Sequence, residues 1–174
     1  MNFDLPMEKK RRKTTRLKFA DYNDNQVIFI TICTKNRKCI LSRIVGTGVL
    51  DGPQVELTKF GMIANKYLQQ LDDFYDDISI ESYVIMPNHI HILLWVKGAE
   101  DGPSRTPVPT VQNTVLARFV STFKRFCNKE YGTNIWQYRS YDHIIRNAQD
   151  YEEHLNYIDG NPACWLYDKL YTED

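Results

Sequence analysis

The sequence has no apolar run approaching the 18 or more residues needed to span a bilayer, which excludes a helical membrane protein. Its start, "MEKKRRKTTRLK", leads into no apolar segment, so it does not read as a secretory signal, and the cytoplasm is the expected compartment. The four cysteines (Cys33, Cys39, Cys127 and Cys164) form no C-x-x-C pair. That points to reduced thiols rather than a disulfide framework, and the Cys33–Cys39 spacing matches no common zinc pattern. There is no internal repeat, no linker between domains and no disorder signature in a composition that is 43% hydrophobic and 25% charged. One domain of 174 residues is long enough to bury a core without staples.

Net charge is also absent overall, but it is unevenly placed. Residues 1–20 hold seven Lys/Arg against two Asp/Glu, whereas residues 141–174 hold two against eight. A basic arm (1–20) ahead of a single domain (21–174) suits a polyanionic partner. Its cations include Lys10, Arg11, Arg12, Lys13, Arg16 and Lys18.

Patterning then gives the elements. "QVIFITICT" (26–34) is β-branched and aromatic, a strand buried on both faces. "VGTGVLDGPQ" (45–54) reads as a loop. From Thr58, an N-cap, Phe60, Ile63, Tyr67, Leu68, Leu71 and Phe74 recur at helical spacing. "ISIESYVIM" (78–86) and "HIHILLWV" (89–96) form a hairpin. After a Gly/Pro-rich loop (97–110), a second helix buries Val111, Val115, Leu116, Phe119, Val120, Phe123, Phe126 and Cys127 and turns Arg118, Thr122, Arg125 and Lys129 outward. "NIWQYRSYDHIIR" (134–146) has strand composition, and Asn147 caps a last helix whose inner face is Tyr151, Leu155 and Ile158. The order β-α-β-β-α-β plus an extra C-terminal helix predicts an α+β, ferredoxin-like split-βαβ fold. It has an antiparallel sheet, helices on one face and the other face open.

The chemistry starts from "NHIHILLW" (88–95). Residues i and i+2 of a strand share a face, so His89 and His91 project in parallel and can converge on one ion. A third ligand must come from elsewhere. "SYDHIIRN" (140–147) offers Asp142, His143 and Asn147 as ligands, Tyr141 as a nucleophile and Arg146 as a phosphate contact. Lys124 and Arg125 add a second candidate DNA surface, and Trp136 or Tyr138 can stack unpaired bases.

Four stretches, "RRKTTRLKFADYNDNQVIFITICTKNRKCIL", "YVIMPNHIHILL", "STFKRF" with "IWQYRSYDHIIRN", and "YIDGNP", together resemble the REP-associated tyrosine transposases, single-tyrosine members of the HUH endonucleases. The resemblance implies a divalent ion, Mg²⁺ or Mn²⁺, on His89 and His91, and attack by Tyr141 on a scissile phosphate. That step gives a 5′-phosphotyrosine whose bond energy allows rejoining. The implied partner is single-stranded or hairpin DNA, bound by a monomer or homodimer. Relatives place a Gln ligand four residues after the tyrosine; here that position is Ile145, which leaves His143, Asn147, Asp142 or water. "WQ" (136–137) and "NP" (161–162) are expected to position the tyrosine segment. The alternative is a hairpin-binding protein without turnover.

Overall fold

The computed structural model describes residues 26–46, 52–97 and 115–173. Within them lie six strands and three helices: β1 (Gln26–Cys33), β2 (Ser42–Val45), β3 (Gln54–Leu57), α1 (Lys59–Phe74), β4 (Ile78–Ile85), β5 (His89–Val96), α2 (Val115–Tyr131), β6 (Tyr141–Ile144) and α3 (Ala148–Gly160). The fold is mixed α+β. One sheet has the order β4-β5-β1-β6, every pair antiparallel, and β2-β3 form a separate ribbon. That ribbon is a correction: its β3 starts where a loop was expected to end, because Val55 and Leu57 supply an alternation that the preceding glycines obscure.

Alternation along the central strands sorts two layers. Ile28, Ile30, Ile32, Ile90, Ile92, Leu94 and Val96 are fully buried against α1 and α2, with Leu68, Phe119 and Phe123 filling the gap. Thr58 caps α1 as expected: its Oγ1 accepts from Gly61 N (3.3 Å) and donates to the Leu41 carbonyl (2.9 Å). Gly61 is required there, since a Cβ would collide with that carbonyl.

The second face is not open. Phe29 and Leu93 point to it, and α3 lies across them through Ile158, with Tyr151 and Leu155 beside it. The expected inner face of α3 is therefore correct, but its partner is the side of the sheet opposite α1 and α2. Three apolar side chains on one helix stripe need an apolar surface to bury against, and the Phe29/Leu93 row supplies it.

Candidate functional site: a buried histidine pair beside an edge tyrosine

β5 lies inside the sheet, between β4 and β1, so both side-chain rows of its first half are covered. His89 and His91 share the α3 side with Leu93; their residues are 0% and 3% exposed, and their ring centroids are 4.4 Å apart. Each ring is oriented through Nδ1. The Asn88 amide nitrogen donates to the carbonyls of Arg37 (3.3 Å) and Leu170 (2.8 Å), which fixes its Oδ1 as the acceptor facing His89 Nδ1 at 2.7 Å. Thr31 Oγ1 meets His91 Nδ1 at 2.9 Å. An Nδ1–H on His89 leaves its Nε2 with the lone pair, the form that ligates metals.

Both Nε2 atoms are buried and without a hydrogen-bond partner. Burial pushes the pKa of His89 down to about 4 and that of His91 down to about 3, the neighbouring His89 adding to the fall at His91. Both are neutral imidazoles at pH 7. Two buried imidazole nitrogens without a hydrogen-bond partner normally carry a cost of about 1–3 kcal/mol each, which a ligand removes.

The opposite wall of that space comes from the C-terminal segment. Asp168 Oδ2 lies 4.0 Å from His89 Nε2, and ligand atoms of His89, His91 and Asp168 fall within 4.8 Å of one another. Burial alone would raise the Asp168 pKa, but the Leu170 N–H (2.6 Å) and the Asn161 amide (2.9 Å) hold the carboxyl below its usual range. Asn161 Oδ1 is a further buried atom without a partner. Tyr157 donates to Asp168 (3.2 Å) and lays its ring 5.1 Å from that of His91, while Trp165 closes the side of His89 at 6.0 Å. Two neutral imidazoles and an ionised carboxylate suit a divalent cation: octahedral bonds near 2.1 Å separate neighbouring ligand atoms by roughly 3.0 Å, a contraction from the 4.0 Å between His89 and Asp168. The donor set fits a metal.

Tyr141 reaches this face through register. It pairs with Thr31, and Thr31 pairs with His91, so the three side chains lie in one row on the α3 side of the sheet. Two strand spacings, about 10 Å, separate the Tyr141 and His91 backbones. β6 is an edge strand, and Tyr141 is 53% exposed, open to a macromolecular substrate.

The other sequence candidates are placed as follows. Asp142 pairs with Ile30 and is buried on the α1/α2 side, away from the histidine pair. His143 shares the row of Phe29, and its Nε2 bonds the Asp150 carboxylate (3.0 Å) next to His154 rather than meeting the His89/His91 pair. Asn147 caps α3, its Oδ1 accepting from Asp150 N at 2.9 Å. Arg125 and Arg146 are exposed. Lys124 Nζ donates to the carbonyls of Gln137 (2.9 Å) and Tyr138 (3.3 Å), bracing the segment that leads into Tyr141. Lys10, Arg11, Arg12, Lys13, Arg16 and Lys18 lie outside the described residues. Trp136 is core, its ring 5.4 Å from Phe123, while Tyr138 is 93% exposed. Gln137 N bonds the Cys33 carbonyl (2.9 Å). Asn161, of the "NP" pair, stands against Asp168 beside the histidines.

Sequence reasoning missed Asp168, which no local pattern marks because it meets a residue 79 positions earlier, and gave no role to Tyr157, although it opens the quoted "YIDGNP" stretch. Asn88 carried a signal, being the turn residue directly before His89.

No family model matches the sequence. The chain is 30% identical to an uncharacterized protein of Haemophilus influenzae over 93% of this chain and 94% of that one. It is 28% identical to a REP-associated tyrosine transposase of Escherichia coli, over 63% of this chain and 58% of the relative. A putative REP-associated tyrosine transposase of Haemophilus influenzae matches at 34% over 45% and 46%. Among solved structures, a REP-associated tyrosine transposase bound to a REP hairpin shares the fold, with a TM-score of 0.57 and 22% identity over 90% of this chain and 73% of that one. Near-full-length similarity to one uncharacterized relative, partial similarity to two proteins named REP-associated tyrosine transposases and a shared fold agree with the quoted motifs: this chain resembles the REP-associated tyrosine transposases.

Proposed function

We propose that this protein nicks and rejoins single-stranded DNA at hairpin-forming repeats through a covalent tyrosine intermediate. The observation that carries this reading is the single row Tyr141–Thr31–His91, with both histidine Nε2 atoms unsatisfied beside it. The Tyr141 hydroxyl attacks the scissile phosphorus and loses its proton. The P–O3′ bond breaks, and the leaving 3′ oxygen takes up a proton. The product is a 5′-phosphotyrosine with a free 3′-hydroxyl, and the same step run backwards with another 3′-hydroxyl joins two strands. A phenol, with a pKa near 10, leaves more readily in that return step than an aliphatic alcohol.

His89 and His91 would hold a Mg²⁺ or Mn²⁺ ion, which supplies Lewis-acid polarisation of the scissile phosphate when bound. Asn88 and Thr31 set the ring orientations, and Asp168 is the carboxylate best placed to complete the protein ligands. His143 and Asn147, the other candidates for that place, are engaged elsewhere. The Tyr141–Thr31–His91 register within one chain supports a tyrosine that acts on its own histidines in a monomer.

The site is drawn closed: Asp168, Asn161 and Trp165 cover the imidazoles, so a phosphate reaches them only when the segment after α3 withdraws. DNA phosphates would be met by Arg125, Arg146 and the basic arm from Lys10 to Lys18, giving binding that weakens steeply with salt. Tyr138 stands free to stack an unpaired base.

The test is a covalent adduct on a hairpin oligonucleotide in Mg²⁺ or Mn²⁺, resolved by denaturing gel. Tyr141→Phe should abolish it; an adduct that persists in that variant would refute the nucleophile. Burial of the histidine pair favours a second reading, hairpin binding without turnover. Binding insensitive to EDTA, with no cleavage in either metal, would select it.

A further inference from the structure

A second histidine cluster stands outside the row just described. His143 on β6 faces Asp150 and His154, one turn apart on α3, and ligand atoms of the three lie within 4.8 Å of one another. His143 Nε2 is 3.1 and 3.0 Å from the two Asp150 oxygens, and His154 Nδ1 is 3.1 Å from Asp150 Oδ1. The two imidazoles stack, 14° from parallel with centroids 4.8 Å apart. The cluster is distinct from the His89/His91 pair, because the Phe29 ring stands between them, 5.0 Å from His91 and 4.7 Å from His154.

Access also differs. The three side chains are 29%, 18% and 24% exposed, so an ion and water reach them with no movement of the chain. The carboxylate is pre-aimed by the start of α3: Asn147 Oδ1 takes the Asp150 N–H, and the Arg146 N–H donates to Asp150 Oδ2 at 2.9 Å. Two imidazoles and a carboxylate, with solvent at the fourth position, make a donor set for a borderline divalent ion of the zinc class. Nitrogen–oxygen separations of 3.0–3.1 Å are already near the roughly 3.4 Å that such coordination requires.

We propose that His143, Asp150 and His154 form a second divalent-metal site, of Zn²⁺ type, that pins β6 to the start of α3 two residues from Tyr141. On binding, the ion replaces the His143–Asp150 hydrogen bond and the bond from His154 Nδ1 to the Asp150 carbonyl (2.8 Å), and each neutral ring keeps its one proton on the nitrogen that does not ligate. The inference is independent of the nicking chemistry.

The test uses the full chain, stripped with EDTA and dialysed, then titrated with Zn²⁺ against a chromophoric chelator. His143→Gln and His154→Gln should each weaken this Zn²⁺ binding at least tenfold and remove its increase in Tm. Equal affinity and an equal Tm response in wild type, His143→Gln and His154→Gln would overturn the site, as would loss confined to His89→Gln. Should either variant lose its far-UV dichroism, the ring ¹⁵N shifts of wild-type His143 and His154 decide. Displacement of both by Zn²⁺ supports the site, and no displacement refutes it.

Discussion

The two faces of the main sheet are built from the same strands yet serve opposite ends. Toward α1 and α2, β1 and β5 present isoleucine, leucine and valine at Ile28, Ile30, Ile32, Ile90, Ile92, Leu94 and Val96, and the layer is filled by Phe119 and Phe123. Toward α3, the same two strands present Thr31, His89 and His91, and the covering segment answers with Asn161 and Asp168. One face maximises burial. The other keeps two imidazole nitrogens dry and unsatisfied, a standing cost that folding for stability alone would remove.

The contrast is broken most sharply by truncating the first face. Phe123→Ala removes a fully buried ring that packs on Trp136, and should cost about 3–5 kcal/mol, read as a fall in the chemical-denaturation midpoint. A loss under about 1 kcal/mol would mean that this layer is not the one holding the fold.

Acid sharpens it from the other side. His89 and His91 titrate near 4 and 3 in the folded protein, because burial disfavours the charged ring, against about 6.5 when unfolded. Between those values the unfolded chain binds more protons. Metal-free stability is therefore full above about pH 6.5 and declines as pH falls toward 4, by up to about 1.4 kcal/mol per pH unit for each ring. His91→Leu should roughly halve that slope and leave neutral-pH stability within about 1 kcal/mol, since it replaces an unsatisfied polar ring with an apolar side chain. A variant slope equal to wild type would show that His91 is not a buried neutral base.

The faces were also unequally legible. The isoleucine rows, the hairpin with Asn88 at its turn, the Thr58 cap and the stripe of α2 are local periodicities, and they appeared where patterning placed them. The parallel projection of His89 and His91 follows from the two-residue repeat of a strand and was equally plain. What patterning cannot report is a partner distant in sequence. Asp168 and Asn161 reach His89 only through the path of the chain after α3, and the bond between His143 and Asp150, though only seven residues apart, depends on where α3 crosses the sheet. The ribbon β2-β3 escaped notice because four-residue strands beside glycines carry too few alternations to register.

Asn147 gives the finest discrimination between the two kinds of role. The sequence nominates it both as the cap of the last helix and as a metal ligand near Tyr141, and its Oδ1 accepts from Asp150 N at 2.9 Å and closes the first turn of α3. A cap is worth about 1 kcal/mol, and the loss falls on the helix that covers the histidine face. Asn147→Ala should therefore lower the denaturation midpoint by that amount, while Asn147→Asp or Asn147→Ser, which keep a capping oxygen, should restore it. Under the nicking assay, at a temperature where all three variants are folded, the Mn²⁺ concentration for half-maximal adduct should match wild type. A ligand would behave otherwise: Asn147→Asp would bind the ion more tightly than wild type and Asn147→Ala more weakly, with no parallel change in stability. The sign of that divergence separates a residue that shapes the covering helix from one that touches the ion.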